Sequence, residues 1–492
     1  MTRPAAGRRR SIAGLVVVIV VALVATSSAA LVGSSAEPRA TSPGSGLEVV
    51  AERGVPDAVL VSRTLFDSAP AAVVVGGGAD GAAIGGGAQA ARTRGVPMFH
   101  VDPTSMGAVR SELARLGVDR VLTIGEVPDL GVPSTSDPGD LGAAGDDGAR
   151  EPAGDAAVVL LVDPGADAVA TAEAAGARTE VLPTADPRSS GSAVESLRSS
   201  PDAPVRAVGA AFADERLLRE RIGLARSVPE LPGGGQIMFP GRRVVALYGS
   251  PGAPELGPLG RQSIEESVAR AERVAAEYDG VSPVPVVPGF EIIVSVASSD
   301  PGPDGAYSTM LDPEAVRPWV DAAAAAGVYV TLDLQPGRTD FLAQAKRYEG
   351  LLTQPHVGLA LDPEWRLRAD QVHLTQIGSV APEEVNRVSA WLSGLVRAHG
   401  LPQKAFVLHQ FDADMLGDRS RIDTRHPELA VVVHADGHGT PPVKLETWRR
   451  IVDGLPPGAW TGWKNFYRED SPMFSPRRTM RVRPVPWFIS YQ

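Results

Sequence analysis

The chain has 492 residues, 43% of them hydrophobic, a net charge of -11 and no cysteine. That length exceeds what one ordinary core organises, so two or three domains are expected. The acidic balance argues against a nucleic-acid partner, which needs a basic surface. The missing cysteine excludes disulfides, thiolate metal sites, a cysteine nucleophile and a lipidated cysteine anchor.

Residues 1–36 read as a signal or anchor segment. Arg3, Arg8, Arg9 and Arg10 form a basic start, and 12–32 carries no charge and is mostly Val, Leu, Ile and Ala. A run of about twenty apolar residues can span a bilayer as a transmembrane helix. The basic flank keeps the arginines cytoplasmic and sends the rest outward. The expected location is the extracytoplasmic face of the cell membrane, held through 12–32. If a signal peptide is cleaved near Ser34-Ser35-Ala36, the protein is instead secreted and wall-associated. Residues 37–46, rich in Pro, Ser, Gly and Ala, read as a linker.

The first folded region is expected over 47–232. Strand signals fall at 58–61, 72–75, 98–101, 121–124, 158–162 and 205–208, with helical patterns between several of them, such as 106–116. Short apolar runs alternating with helices predict an α/β domain with a parallel sheet. Residues 128–155 are dense in Pro, Gly, Ser and Asp and read as a disordered insertion.

After the strand at 72–75, Gly76-Gly77-Gly78-Ala79-Asp80-Gly81 satisfies G-x-G-x-x-G, and Asp102 stands near the place of a ribose-binding acid. One reading is therefore a nucleotide-binding oxidoreductase using the Gly76–Gly81 loop. A plainer one is that the glycines permit tight helix–strand packing. A third covers more residues: Val73-Val74-Val75, the Gly/Asp turn 76–80, an Ala-rich helix at 82–91, Gly95-Val96-Pro97, the helix end 112–116 with Gly117, and a strand at 121–124 ending in Gly125. This stretch resembles the cell wall-binding repeat 2 family. The chain departs from it in showing one clear copy and a degenerate stretch at 158–211, and in having Gly125-Glu126 for a terminal Gly-Gly. The resemblance implies association with a cell-wall or envelope polysaccharide.

Gly233-Gly234-Gly235 marks a boundary, and all seven tryptophans lie beyond it. Over 241–492, strand signals at 244–248, 292–297, 329–334, 357–361, 405–410, 429–435, 459–464 and 487–491 alternate with helical patterns at 263–278, 313–326, 340–352, 382–399 and 443–452. Eight strands with helices between them over about 250 residues match a (β/α)8-type barrel, with an open doubly wound sheet as the alternative.

In such a barrel, side chains at the C-terminal strand ends converge on one mouth. Here those ends carry Tyr248, Asp333, Asp362 with Glu364, His409 with Gln410, His434 with Asp436, and Trp463 with Lys464. Carboxylates near aromatics suggest glycan hydrolysis, which needs one protonated and one ionised carboxyl group. Glu364 beside Trp365 is the expected acid; Asp362 or Asp333 is the expected charged partner, with His409 nearby. Tyr248, Trp365, Gln410, His434, Asp436, Trp463, Lys464 and Tyr467 are the expected substrate contacts. The region loosely resembles (β/α)8 glycoside hydrolase-like barrels that place acids after the fourth strand, here Leu361-Asp362-Pro363-Glu364-Trp365. A degenerate, non-catalytic barrel that only binds glycan is the rival. No cofactor is expected; a divalent metal on His409, His434, Asp333 and Asp436 is the alternative those donor types allow.

Overall fold

The computed structural model describes residues 38–40, 46–141 and 156–492. The apolar segment 12–32, and 142–155 of the expected insertion, lie outside the described residues. Among those described, no helix is long and apolar enough to cross a membrane. Residues Glu37–Gln492 form one compact unit.

The first region holds two four-stranded parallel sheets. One has the order Met98–His100, Ala71–Val75, Arg120–Ile124, Ser134–Thr135; the other Leu47–Val50, Val205–Val208, Val158–Val162, Arg178–Leu182. The apolar run expected as a strand at 58–61 is instead part of the helix Asp57–Leu65. Asp57 stands in its first turn, where a carboxylate favours a helix start. The helix lies in a core shared by both sheets, with Val59 and Val61 beside Phe99, Val121 and Val159, so an all-apolar segment suits it as well as it would a strand. Within the expected insertion, 134–135 pairs as an edge strand and Pro138–Leu141 forms a 3-10 turn.

Residues 231–242 bolt this region to the second. Gln236 donates through its side chain to the carbonyls of Ala225 and Val228, and the Gln403 side chain accepts from the Met238 amide. Arg242 reaches the carbonyls of Pro232 and Gly234.

The second region is a closed barrel of eight parallel strands: Arg243–Gly249, Val286–Ala297, Tyr329–Leu334, Val357–Leu361, Lys404–Gln410, Leu429–Ala435, Trp460–Asn465 and Phe488–Tyr491. The first and second strands pair, and so do the first and eighth, which closes it. A short antiparallel strand, Ser308–Met310, extends the second. Helices Ile264–Ala276, Pro313–Ala325, Pro382–Ala398 and Pro441–Val452 cover the outside, while the fifth crossover carries only 3-10 turns.

Side chains alternate along each strand, one inward and the next outward. Outward residues such as Leu247, Ile292, Leu332, Leu359, Leu408 and Val433 pack under the helices with Tyr278, Trp319, Phe341 and Trp448. Inward residues at the N-terminal end, among them Val244, Val287, Tyr329, Ala405, Val432 and Phe488, are apolar and are plugged by Leu231, Met238 and Phe239. Gly358 makes room for Tyr329, because a Cβ there would stand 2.6 Å from its hydroxyl. That hydroxyl accepts from the Ala405 amide.

Candidate active site

The same alternation reaches the C-terminal ends with a different chemistry. The inward side chains there are Tyr248, Glu291, Asp333, Asp362, His409, His434 and Lys464, each no more than 3% exposed. Tyr248 donates to Asp333 at 2.7 Å. His409 is held at both ring nitrogens, by Asp436 at 3.0 Å and Glu291 at 2.9 Å. The His434 ring stands 4.8 Å from that of His409, with its Nε2 3.2 Å from the Ser490 hydroxyl. Gly462 is required beside it: a Cβ would lie 2.3 Å from the His434 ring. Gln335 donates to Asp362 at 3.3 Å.

Above this layer opens a cavity of about 580 Å³, lined in part by Tyr248, Gln335, Glu364, Trp365, Asp436 and Lys464. Glu364 sits on the turn Pro363–Trp365 that follows the fourth strand. Trp365 stacks on His373 at 4.7 Å between centroids, in the loop that crosses the rim.

Electrostatics separates the carboxyl groups. Burial, reinforced by the negative Asp436, pushes Glu364 up to about 7. Burial raises Asp362 well above the ordinary range, helped by Glu364 and Asp333, and also raises Asp333 against the opposing pull of His409. Asp436 goes the other way: burial works against its charge, but the hydrogen bond and charge of His409 prevail and lower it. His409 is itself raised far above an ordinary imidazole, because the charges of Glu291 and Asp333 and the bond to Asp436 outweigh its burial. In its protonated form it donates from both nitrogens. Burial, then the charge of His409, keeps His434 neutral.

Several buried polar atoms of this layer have no partner: Glu291 Oε2, Asp333 Oδ1, Asp362 Oδ1, Asp436 Oδ1 and His434 Nδ1. Each orphan costs about 1–3 kcal/mol, a burden that marks functional sites. Among the described residues, no group of three or more His, Asp or Glu side chains is placed to hold a metal ion.

The expected residues thus divide. Glu364, Trp365, Tyr248, Asp436 and Lys464 reach the cavity. Asp333, Asp362, His409 and His434 gather beneath it, buried. Gln410, Trp463 and Tyr467 do not line the cavity. Gln410 and Trp463 adjoin the inward His409 and Lys464, so alternation turns them outward. Gln410 braces the following loop through the carbonyls of Asp412 and Ala413, and Trp463 packs against Trp448 and Phe474. Tyr467 lies beyond its strand against Tyr491 and Arg270. Glu291, which anchors His409, lies one residue before the strand signal at 292–297 and inside the observed strand Val286–Ala297. A lone Glu inside Val-Pro-Gly-Phe-Glu-Ile-Ile-Val was the available sign.

In the first region, the glycine loop is occupied by its own chain. Gly77 and Glu126 exchange backbone hydrogen bonds at 3.2 and 2.7 Å, and a Cβ on Gly76 would stand 2.0 Å from the Glu126 carbonyl oxygen. Asp80 caps the following helix, and Asp102 accepts from the backbone amides of Thr104 and Ser105. This arrangement favours the packing reading of the glycines.

The chain matches no protein-family model and no curated protein.

Proposed function

We propose that the barrel hydrolyses a glycan, with Glu364 as general acid and Asp436 as its ionised partner, in an exported protein whose first region associates with a cell-wall polysaccharide. One observation carries the chemistry: two carboxyl groups line a single cavity, and their surroundings drive their proton affinities apart. Such a split is how a pair divides acid and base work. Glu364 gives its proton to the glycosidic oxygen as the C–O bond breaks and the alcohol leaves. Asp436 meets the positive charge that develops at the anomeric carbon. It does so by attacking that carbon, forming a glycosyl ester that water then cleaves as Glu364 takes back a proton from the water, or by taking a proton from water that attacks the carbon directly; the carboxylate separation decides which. The expected partners Asp333 and Asp362 lie under the floor and act through Tyr248 and Gln335. His409 holds Asp436 in place and charged. Trp365 offers a face on which a sugar ring can stack. The wall association rests on the repeat-like stretch 72–125, and the export on 1–36.

The test is release of reducing ends from wall polysaccharide and a panel of aryl glycosides, read beside Glu364→Gln and Asp436→Asn. Cleavage lost in both variants supports the reading. A wild-type protein that binds glycan without cleaving it is the degenerate barrel, and the hydrolytic proposal is then withdrawn.

A further inference from the structure

Three lysines of the barrel are buried, and two are satisfied by the chain itself. Lys404 donates to the carbonyls of Gln354 at 2.8 Å and Val357 at 2.6 Å. Lys444 donates to Asp470 and to the Lys464 carbonyl, both at 2.6 Å. Lys464 differs. It is 3% exposed and lines the cavity. Its ammonium stands 3.4 Å from the centre of the Tyr248 ring and 5.3 Å from that of Phe466. Among the described residues, no oxygen accepts from it and no carboxylate lies within ion-pair distance. The ammonium opens to the cavity, and the aromatic face that covers one side of it replaces only part of its hydration. Arg450 lines the same cavity, exposed, with one long contact of 3.5 Å to Thr447 and, among the described residues, no ion pair.

We infer that the cavity's ligand is an acidic sugar, and that its carboxylate or phosphate group takes the open acceptor position on Lys464, with Arg450 guiding it in. The inference rests on the glycan reading for the sugar and on Lys464 alone for the charge. A neutral glycan would offer hydroxyl oxygens, which accept more weakly than an oxyanion. Of the acidic side chains lining the cavity, Asp436 is already engaged by His409. Asp412, on the rim, caps its own turn by accepting from the Asp414 amide. The anion therefore meets a cation that no carboxylate of the described residues holds at ion-pair distance, although the charge of Lys464 already acts on Glu364 and Asp436.

The experiment is calorimetric titration of the full chain with two matched pairs: methyl glucuronide against methyl glucoside, and glucose 6-phosphate against glucose. The expected result is at least tenfold tighter binding of one charged member than of its neutral twin, and the pair that shows it identifies carboxylate or phosphate. Lys464→Met should cut that preference below threefold, and Lys464→Arg should keep most of it. Should Lys464→Met fail to fold, Arg450→Gln at the exposed rim should still lower the preference measurably. Equal binding of charged and neutral sugars overturns this inference and leaves the hydrolytic reading standing. A charge preference that survives Lys464→Met overturns it as well. Binding of none of the four sugars overturns both readings. Charge-selective binding without any glycan cleavage supports this one and removes the other.

Discussion

The two ends of the barrel are built from the same eight strands and differ only in which inward residues they carry. At the N-terminal end Val244, Val287, Val432 and Phe488 meet Phe239 and Met238 in a dry, closed plug. Four residues further along the first strand, Val244 gives way to Tyr248; along the second, Val287 gives way to Glu291. At that end carboxyl groups, imidazoles and an ammonium replace hydrocarbon. Apolar packing stabilises wherever it occurs, whereas buried polar atoms without partners do not. One end is therefore devoted to stability, and the other carries unpaired groups that only a ligand or water can satisfy.

The largest expected effect lies at the polar end. Glu364→Gln should reduce cleavage by about 10²–10⁴-fold, the range of a lost general acid, while glycan binding persists. The wild-type rate should fall as pH rises through about 7, since Glu364 must hold its proton. It should also fall at acid pH once Asp436, held below the ordinary carboxyl range, protonates. The next effect belongs to the plug: Phe239→Ala should cost about 3–5 kcal/mol in chemical unfolding and leave kcat unchanged.

A smaller change should go the other way. Asp362 has a raised proton affinity in the folded chain. Its contribution to stability is therefore present below the unfolded carboxyl pKa and lost as pH rises through the folded one. Asp362→Asn cannot ionise, so it should be about 1–3 kcal/mol more stable than the wild type at pH 8, with the difference vanishing near pH 4. Urea unfolding at the two pH values reads it. The smallest effect sharpens the inward–outward division: Trp463→Phe should leave sugar affinity unchanged and cost about 1 kcal/mol of stability, whereas Trp365→Ala should weaken sugar binding about 5–10-fold.

The barrel could be read from the sequence because its strands are continuous apolar runs separated by helical patterns; 329–334, 357–361 and 429–435 coincide with the observed strands. The site could be read only in part. Strand-end position alone does not separate an inward neighbour from an outward one, so Trp463 looks equivalent to Lys464, and Gln410 to His409. Depth was hidden too. Asp333 and Asp362 share the mouth's elements but lie under its floor, and the roles of Asp436 and Glu291 depend on a histidine reached only through the fold. In the first region, the run 58–61 has no periodicity to separate helix from strand, and its buried position settled the matter.

The split of proton affinity between Glu364 and Asp436 can be measured without knowing the substrate. Titration of the side-chain carboxyls by ¹³C NMR, with signals assigned through Glu364→Gln and Asp436→Asn, follows each group directly. The expected result is a Glu364 midpoint near 7 and an Asp436 midpoint below that of an ordinary aspartate. Two carboxyl groups titrating together near 4 would contradict it.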